Sequence, residues 1–243
     1  MSVPLAEGKR SLVTEAYDVL KRDIIRCALV PGQQVSEGLL EERYQIGRSA
    51  IRVALNRLLQ ERLVTVLPHQ GYVITPVTLK RVRDLYDFRG ILDGAAMRLA
   101  AGRIDVPELR RLANEFTRYQ RRLLDDPSDG EVMTELFDIN KRFHLAIARA
   151  TGNEVLEESM ASLLDQMDRI IHLSHLLAGS NGYDADQDVH LEIVDVLASG
   201  DAGRAAALSE ELLAGAKKKI IEALVASPNL DEVNLAVQQS GGD

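Results

Sequence analysis

The forty residues from Ser36 to Thr75, SEGLLEERYQIGRSAIRVALNRLLQERLVTVLPHQGYVIT, constrain this chain more than any other stretch. Ser36 carries a hydroxyl suited to capping a helix start, and the short helix it opens gives way at Gln45-Ile46-Gly47. A second helix follows, with Ile51, Leu55, Leu58 and Leu59 on one face. Arg48, Ser49, Arg52 and Asn56 fall on the other side, in its first turns, where long donors can reach base edges and phosphates. Two β-prone runs, Leu63 to Leu67 and Tyr72 to Thr75, flank Pro68-His69-Gln70-Gly71, which has the chemistry of a turn between paired strands. The pattern predicts a winged helix-turn-helix that reads duplex DNA through the major groove. His69, Gln70 and Gly71 would then approach the adjacent minor groove or backbone.

The run IGRSAIRVALNRLLQERLVTVLPHQGYVITP resembles the winged DNA-binding domain of the GntR family of bacterial transcription regulators. That family usually shows Val-Ser-Arg-Thr-Pro-Val-Arg-Glu-Ala-Leu, then a Gly-Leu-Val strand and a Pro-x-x-Gly wing. This chain departs from the pattern with Gly47 for Ser, Ser49 for Thr, Ala50 for Pro, Val53 for Glu, and Arg62 for the Gly before Leu-Val. Arg48 and Arg52, the contact positions the resemblance implies, are retained.

A chain of 243 residues is long enough to bury two modest cores, and two domains are expected. The single Cys27 excludes an internal disulfide framework, suits a reducing compartment, and reads as an ordinary helix residue. No signal-peptide pattern is visible, and charges break every apolar run before the roughly 18 residues a spanning helix needs. Neither membrane insertion nor a lipid anchor is indicated, and a cytoplasmic protein is expected. Net charge is −8, unevenly placed: residues 1–78 carry 10 Lys+Arg and 8 Asp+Glu, a balance of +2, leaving 19 against 29, or −10, for the rest. That division fits a DNA-reading module joined to an acidic domain. A module carrying only +2 binds non-specific DNA weakly, so dimerisation is needed for useful affinity.

Along the chain, residues 1–10 lack periodicity and are expected to be mobile, 11–76 form the DNA-binding domain, 79–226 an all-helical domain, and 227–243 a tail without order. Leu12, Val13, Ala16, Tyr17, Leu20, Ile24 and Ile25 recur at helical spacing up to Cys27, and Pro31-Gly32 stops that helix. Its Lys21, Arg22 and Arg26 either touch phosphates or form a solvated basic face. After Thr75-Pro76-Val77-Thr78 almost nothing reads as strand. Helices are expected at 79–102, 105–126, 130–151, 153–178, 184–199 and 202–226, broken at Gly102, Pro107, Pro127 to Gly130, Gly152-Asn153, Gly179 to Gly182 and Gly200-Asp201. The predicted fold class is mainly α: an N-terminal winged helix-turn-helix with a small β-wing, then a C-terminal antiparallel α-helical bundle.

The segments LYDFRGILDGAAMRLAA, FHLAIARATGNEVLE and HLEIVDVLASGDAGRAA resemble the all-helical effector domain, the FCD domain, of the FadR subfamily of GntR regulators. The resemblance implies a homodimeric repressor on a palindromic operator, and a small organic acid or related metabolite bound inside the bundle that changes the hold on DNA. In many members the bundle also holds a divalent metal through an Asp-x3-His pair, a later His, and a second His 22 residues on; here those positions are Asn140, His144, His190 and Leu212. Asn140 offers a neutral oxygen and Leu212 no donor, so a metal would be held weakly and no cofactor is firmly implied.

The spacing itself places Asn140 and His144 one turn apart with Met133, Leu136, Phe143 and Ile147 on or beside their face. His190 shares a face with Ile193, Val194 and Leu197, so all three polar groups point inward. An unsatisfied buried donor or acceptor costs about 1–3 kcal/mol, so each must meet a local partner, a ligand or a metal; all three readings stand. Arg89 either meets an effector carboxylate or pairs with Asp87 or Asp93. His172 and His175, beside Asp168, read as an exposed ion pair, or as pocket-lining groups if their helix has two buried faces. A metal-dependent hydrolase or lyase using Asn140, His144 and His190 is the competing function, but no Glu or Asp is spaced to act as its general base.

Overall fold

Residues 11–178 and 189–226 are described by a computed structural model. The N-terminal residues 1–10, the break at Gly179 to Gly182, the start of the helix expected at 184–199, and the tail from 227 lie outside the described residues. The chain divides into two compact units, Met1–Pro76 and Val77–Asp243.

In the first unit, α1 (Leu12–Ile25) begins where Ser11 Oγ accepts the Thr14 N–H at 3.1 Å, and buries Ala16, Leu20 and Ile24. Ser36 caps α2 (Glu37–Tyr44) by accepting the Leu39 N–H at 3.2 Å, and Gln45 closes it in the left-handed region with φ 55°. The turn through buried Ile46 leads into α3 (Arg48–Gln60), which buries Ala50, Ile51, Ala54, Leu55 and Leu58. Gly47 offers α3 no side-chain cap; the Glu41 carboxylate accepts the Arg48 N–H at 3.2 Å instead. Strands β2 (Val64–Leu67) and β3 (Gly71–Ile74) form the antiparallel wing, with Val64 opposite Ile74 and Leu67 opposite Gly71. A further strand, β1 (Gln34–Val35), pairs with the other edge of β3. Two residues are too short to show alternation, so no sequence signal announces it.

Two expectations for this unit are corrected. Cys27 is not a helix residue: α1 ends at Ile25, and Cys27 takes φ 56° as the Leu29 N–H reaches back to Asp23 O at 3.0 Å. That closure buries Leu29, which the straight helix could not do. Lys21 is drawn into the unit, 2.7 Å from Glu61 Oε2 and donating to Tyr17 Oη at 3.0 Å, while Arg26 stays exposed.

The second unit has six helices among its described residues: α4 (Leu79–Ala100), α5 (Val106–Asp125), α6 (Gly130–Ala150), α7 (Glu154–Ala178), α8 (Val189–Ala198) and α9 (Ala202–Ala226). Thr78, Asp105 and Asp129 cap the first three with their side-chain oxygens. Met97, Leu109, Leu112, Phe143, Ile147, Met160, Leu164, Ile193 and Val194 meet in its core. Helix α7 packs against α4, α6 and α9, so nearly every residue from Leu163 to Ser174 is buried. Asp168 and His172 are therefore not an exposed pair: each is 8% exposed, and the His172 ring stands edge-on to Phe137 with centroids 4.7 Å apart. His175 is half-buried. No helix among the described residues is long and apolar enough to cross a membrane.

Candidate functional site

The outward face of α3 presents Arg48, Ser49, Arg52 and Asn56 to solvent. Both arginines are held by one carboxylate on α2: Arg52 Nε and Nη2 donate to the two Glu37 oxygens at 2.8 Å each, and Arg48 Nε lies 3.3 Å from Oε2. The Arg52 hydrogen bonds lower the Glu37 pKa, against partial burial and with the help of both guanidinium charges. The arginine side chains nevertheless remain about 60% exposed (59% and 60%), so the clamp orients them without hiding them. Val53 lies on the same face, 44% exposed, where an apolar group can meet a thymine methyl. Glu37 precedes Arg52 by 15 residues, outside any intrahelical spacing, so its role is invisible to periodicity. At the wing tip His69 and Gln70 are exposed and Gly71 is half-buried.

The second unit contains a cavity of about 1080 Å³ whose wall includes Arg89 of α4, Phe116 and Gln120 of α5, Asn140 of α6, His190 of α8 and Leu212 of α9. His144 does not line it; it stands behind Arg89. Arg89 is 6% exposed, and its guanidinium is fixed from several helices: Nη2 donates to His144 Nε2 at 2.6 Å, Nε to Asp93 Oδ2 at 3.3 Å, and Nη1 reaches Met167 Sδ at 3.7 Å. Ser209 Oγ of α9 donates to the same Asp93 oxygen at 2.9 Å. Asp87, the other partner considered for Arg89, pairs with Lys217 at 2.6 Å. Of the five N–H groups of a guanidinium, three have protein acceptors here, and Arg89 is among the residues that line the cavity.

Because a guanidinium only donates, His144 must offer an unprotonated Nε2 and carry its proton on Nδ1, which lies 3.4 Å from Asp93 Oδ1 without hydrogen-bond geometry. Burial and the Arg89 charge lower the His144 pKa, outweighing Asp93. Burial likewise opposes ionisation of Asp93, but His144, Arg89 and the Ser209 hydroxyl reverse this and hold it below the usual carboxylate range. His190 is pushed well down by burial, and further by the Arg89 charge. Its Nε2 lies 3.2 Å from Asn140 Oδ1, and its ring packs on Phe116 at 4.2 Å and Phe143 at 4.8 Å. Around Arg89 the wall thus joins a buried cation to neutral imidazole and amide groups, while Arg204, Lys219, Glu192, Asp195 and Glu211 place charges of both signs on the rest of it. Behind it, burial raises Asp168 to about 7, with Lys141 opposing and Asp165 reinforcing the shift.

The residues do not fit a divalent metal. Among the described residues no three His, Cys, Asp or Glu side chains converge on one point. His144 Nε2 is already engaged by Arg89, the Asp93 carboxylate beside it is committed to Arg89 and Ser209, and Leu212 contributes no donor. Asn140, His144 and His190 are brought close, yet as a hydrogen-bonded wall and not as a ligand set.

An exposed donor-rich helix beside a wing, and a separate helical chamber with a buried cation, define a DNA-binding regulator with an internal ligand site. Residues 12–74 match the family described as bacterial regulatory proteins, gntR family, and residues 84–215 match the FCD domain. The chain belongs to the GntR family, in the branch that carries an FCD domain. It is similar to the HTH-type transcriptional repressor GlaR of Escherichia coli K12, 28% identical over 203 residues, or 82% of this chain and 91% of that one. It is also 27% identical over 207 residues to the HTH-type transcriptional regulator BphR of Paraburkholderia xenovorans, covering 83% of this chain and 82% of that one. The solved structure of E. coli McbR/YncC shares the fold, with a TM-score of 0.70 at 21% identity over 88% of this chain and 99% of the other. The protein is a ligand-responsive, DNA-binding transcription regulator; the family is one of regulators, not enzymes, which removes the hydrolase or lyase reading.

Proposed function

We propose that this regulator is a cytoplasmic repressor that binds a palindromic operator as a homodimer and changes its affinity when a small organic acid enters the α-helical chamber. Arg48, Ser49, Arg52 and Asn56 enter the major groove, and His69 to Gly71 meet the neighbouring minor groove or backbone. Repression is supported by relatives named as repressors, GlaR and RspR of E. coli. The observation that carries the effector class is the buried Arg89 guanidinium at the cavity wall, a planar fork suited to a carboxylate. Asn140 and His190 supply neutral hydrogen-bonding edges beside it, while His144 acts through Arg89 and does not touch the ligand.

Operator titration tests this. Genomic fragments selected by the purified protein are titrated by fluorescence anisotropy with wild type, Arg48→Ala and Arg52→Ala, in the presence and absence of a panel of metabolite acids. Each substitution is expected to weaken binding by about 1–3 kcal/mol, and at least one acid to shift the wild-type curve. Unchanged binding in both alanine variants would remove α3 from the interface, and a panel without effect would remove the organic-acid effector.

A further inference from the structure

We propose that Arg89 is a built-in cation standing where a divalent metal would have to bind, so that the chamber excludes metal and takes its anionic ligand directly on the guanidinium. The inference rests on the reading of this cavity as the effector site.

A metal bound to His144 Nε2 would sit about 2.0–2.1 Å from it, and that direction is filled by Arg89 Nη2 at 2.6 Å. The guanidinium cannot step aside cheaply, because Asp93 holds its Nε, and Asp93 is itself fixed by Ser209 from α9. Arg89 is 6% exposed and Asp93 2%, so moving either would leave a charge buried without its partner. Nor does the carboxylate beside this point have charge to spare for a dication: Asp93 already balances Arg89, Asn140, His144 and His190 are neutral donors or acceptors, and the Glu192, Asp195 and Glu211 carboxylates elsewhere on the cavity wall complete no metal-ligating cluster among the described residues. The same arrangement that repels a metal suits an anion, since Arg89 lines the cavity and two of its five guanidinium N–H groups have no protein acceptor.

The test uses the full chain and the metals alone. Wild type, Arg89→Ala and Arg89→Lys, each with and without His144→Ala, are equilibrated with Zn²⁺ or Co²⁺ and desalted. Metal content is then measured by mass spectrometry, and the d–d bands of Co²⁺ report nitrogen ligation. Wild type and Arg89→Lys should hold no metal that His144→Ala removes. Arg89→Ala should acquire metal in a His144-dependent way, at least about tenfold tighter than wild type, because an imidazole lone pair and the Asp93 carboxylate are released together. If Arg89→Ala folds only when Zn²⁺ is present, that rescue counts as acquisition; if it does not fold at all, Arg89→Gln, neutral and closer in size, is judged by the same criterion. One His144-dependent equivalent in the wild type would overturn the inference and leave the regulator reading standing. No gain in the neutral variants would equally overturn it, showing that the donor set and not the guanidinium keeps metal out. A metal-free wild type whose operator binding ignores every acid would instead overturn the effector reading, and with it the anion-binding half of this inference, leaving the exclusion of metal by Arg89 to be judged by the variants.

Discussion

Single residues decide more in this chain than its composition suggests. Arg62 sits just past α3 with φ 59°, its N–H donating to Leu59 O at 3.0 Å while the Leu63 N–H reaches Leu58 O at 2.9 Å. This is a left-handed helix exit, a place where a side chain costs about 1–2 kcal/mol over glycine and where GntR sequences commonly carry glycine. Arg62→Gly is expected to raise the urea midpoint by an amount worth about 0.5–1 kcal/mol, since the greater freedom of glycine in the unfolded chain offsets part of the relief. A lower midpoint would mean that the arginine side chain contributes more than its strained backbone costs. The departure at position 62 was legible in the sequence, as was the four-residue step from Arg89 to Asp93. What could not be read was the choice between Asp87 and Asp93, because it depends on Ser209, 116 residues further along the chain from Asp93.

At the scale of elements, helices with one apolar face declared themselves, and strands too short or helices too enclosed did not. The apolar positions of α3 and the capping of α2 by Ser36 follow from local spacing. Helix α7 has buried residues all round much of its length, so no exposed face marks Asp168 and His172 as surface groups. The wing shows how one residue supports an element: Gly71 adopts φ 95°, and a Cβ there would lie 2.7 Å from the backbone oxygen of Val35 in β1. Neither the backbone strain nor that contact can be relieved by turning a side chain. Gly71→Ala should therefore displace β1 or bend the hairpin, costing about 1–3 kcal/mol and loosening residues 64–74 while α1 and α3 keep their core. Hydrogen exchange would show this as faster exchange in β2 and β3 with protection in α3 retained. Unaltered strand protection would mean that the wing accommodates the methyl group.

For the whole molecule, the separation of charge and the separation of units coincide. The residues proposed to read DNA belong to the unit ending at Pro76, and the chain up to residue 78 carries only +2, so its pull on phosphates is weak. The remaining −10 lies on the helical unit, which adds repulsion from the same polyanion. On the proposed reading, one helix with two clamped arginines would give a few base contacts, well short of the interface that specific binders form at physiological salt. Pairing two copies doubles the contacts, and the second half-site then binds at the high effective concentration set by the first. Light scattering at micromolar concentration should accordingly give about twice the chain mass of 26.8 kDa, and each dimer should protect two half-sites about 10 base pairs apart or a multiple of that. Operator affinity should fall steeply with salt, with the slope of two modules and not one. A particle of single-chain mass both free and on DNA would leave the net charge unable to account for specific binding, and with it the case for a palindromic operator.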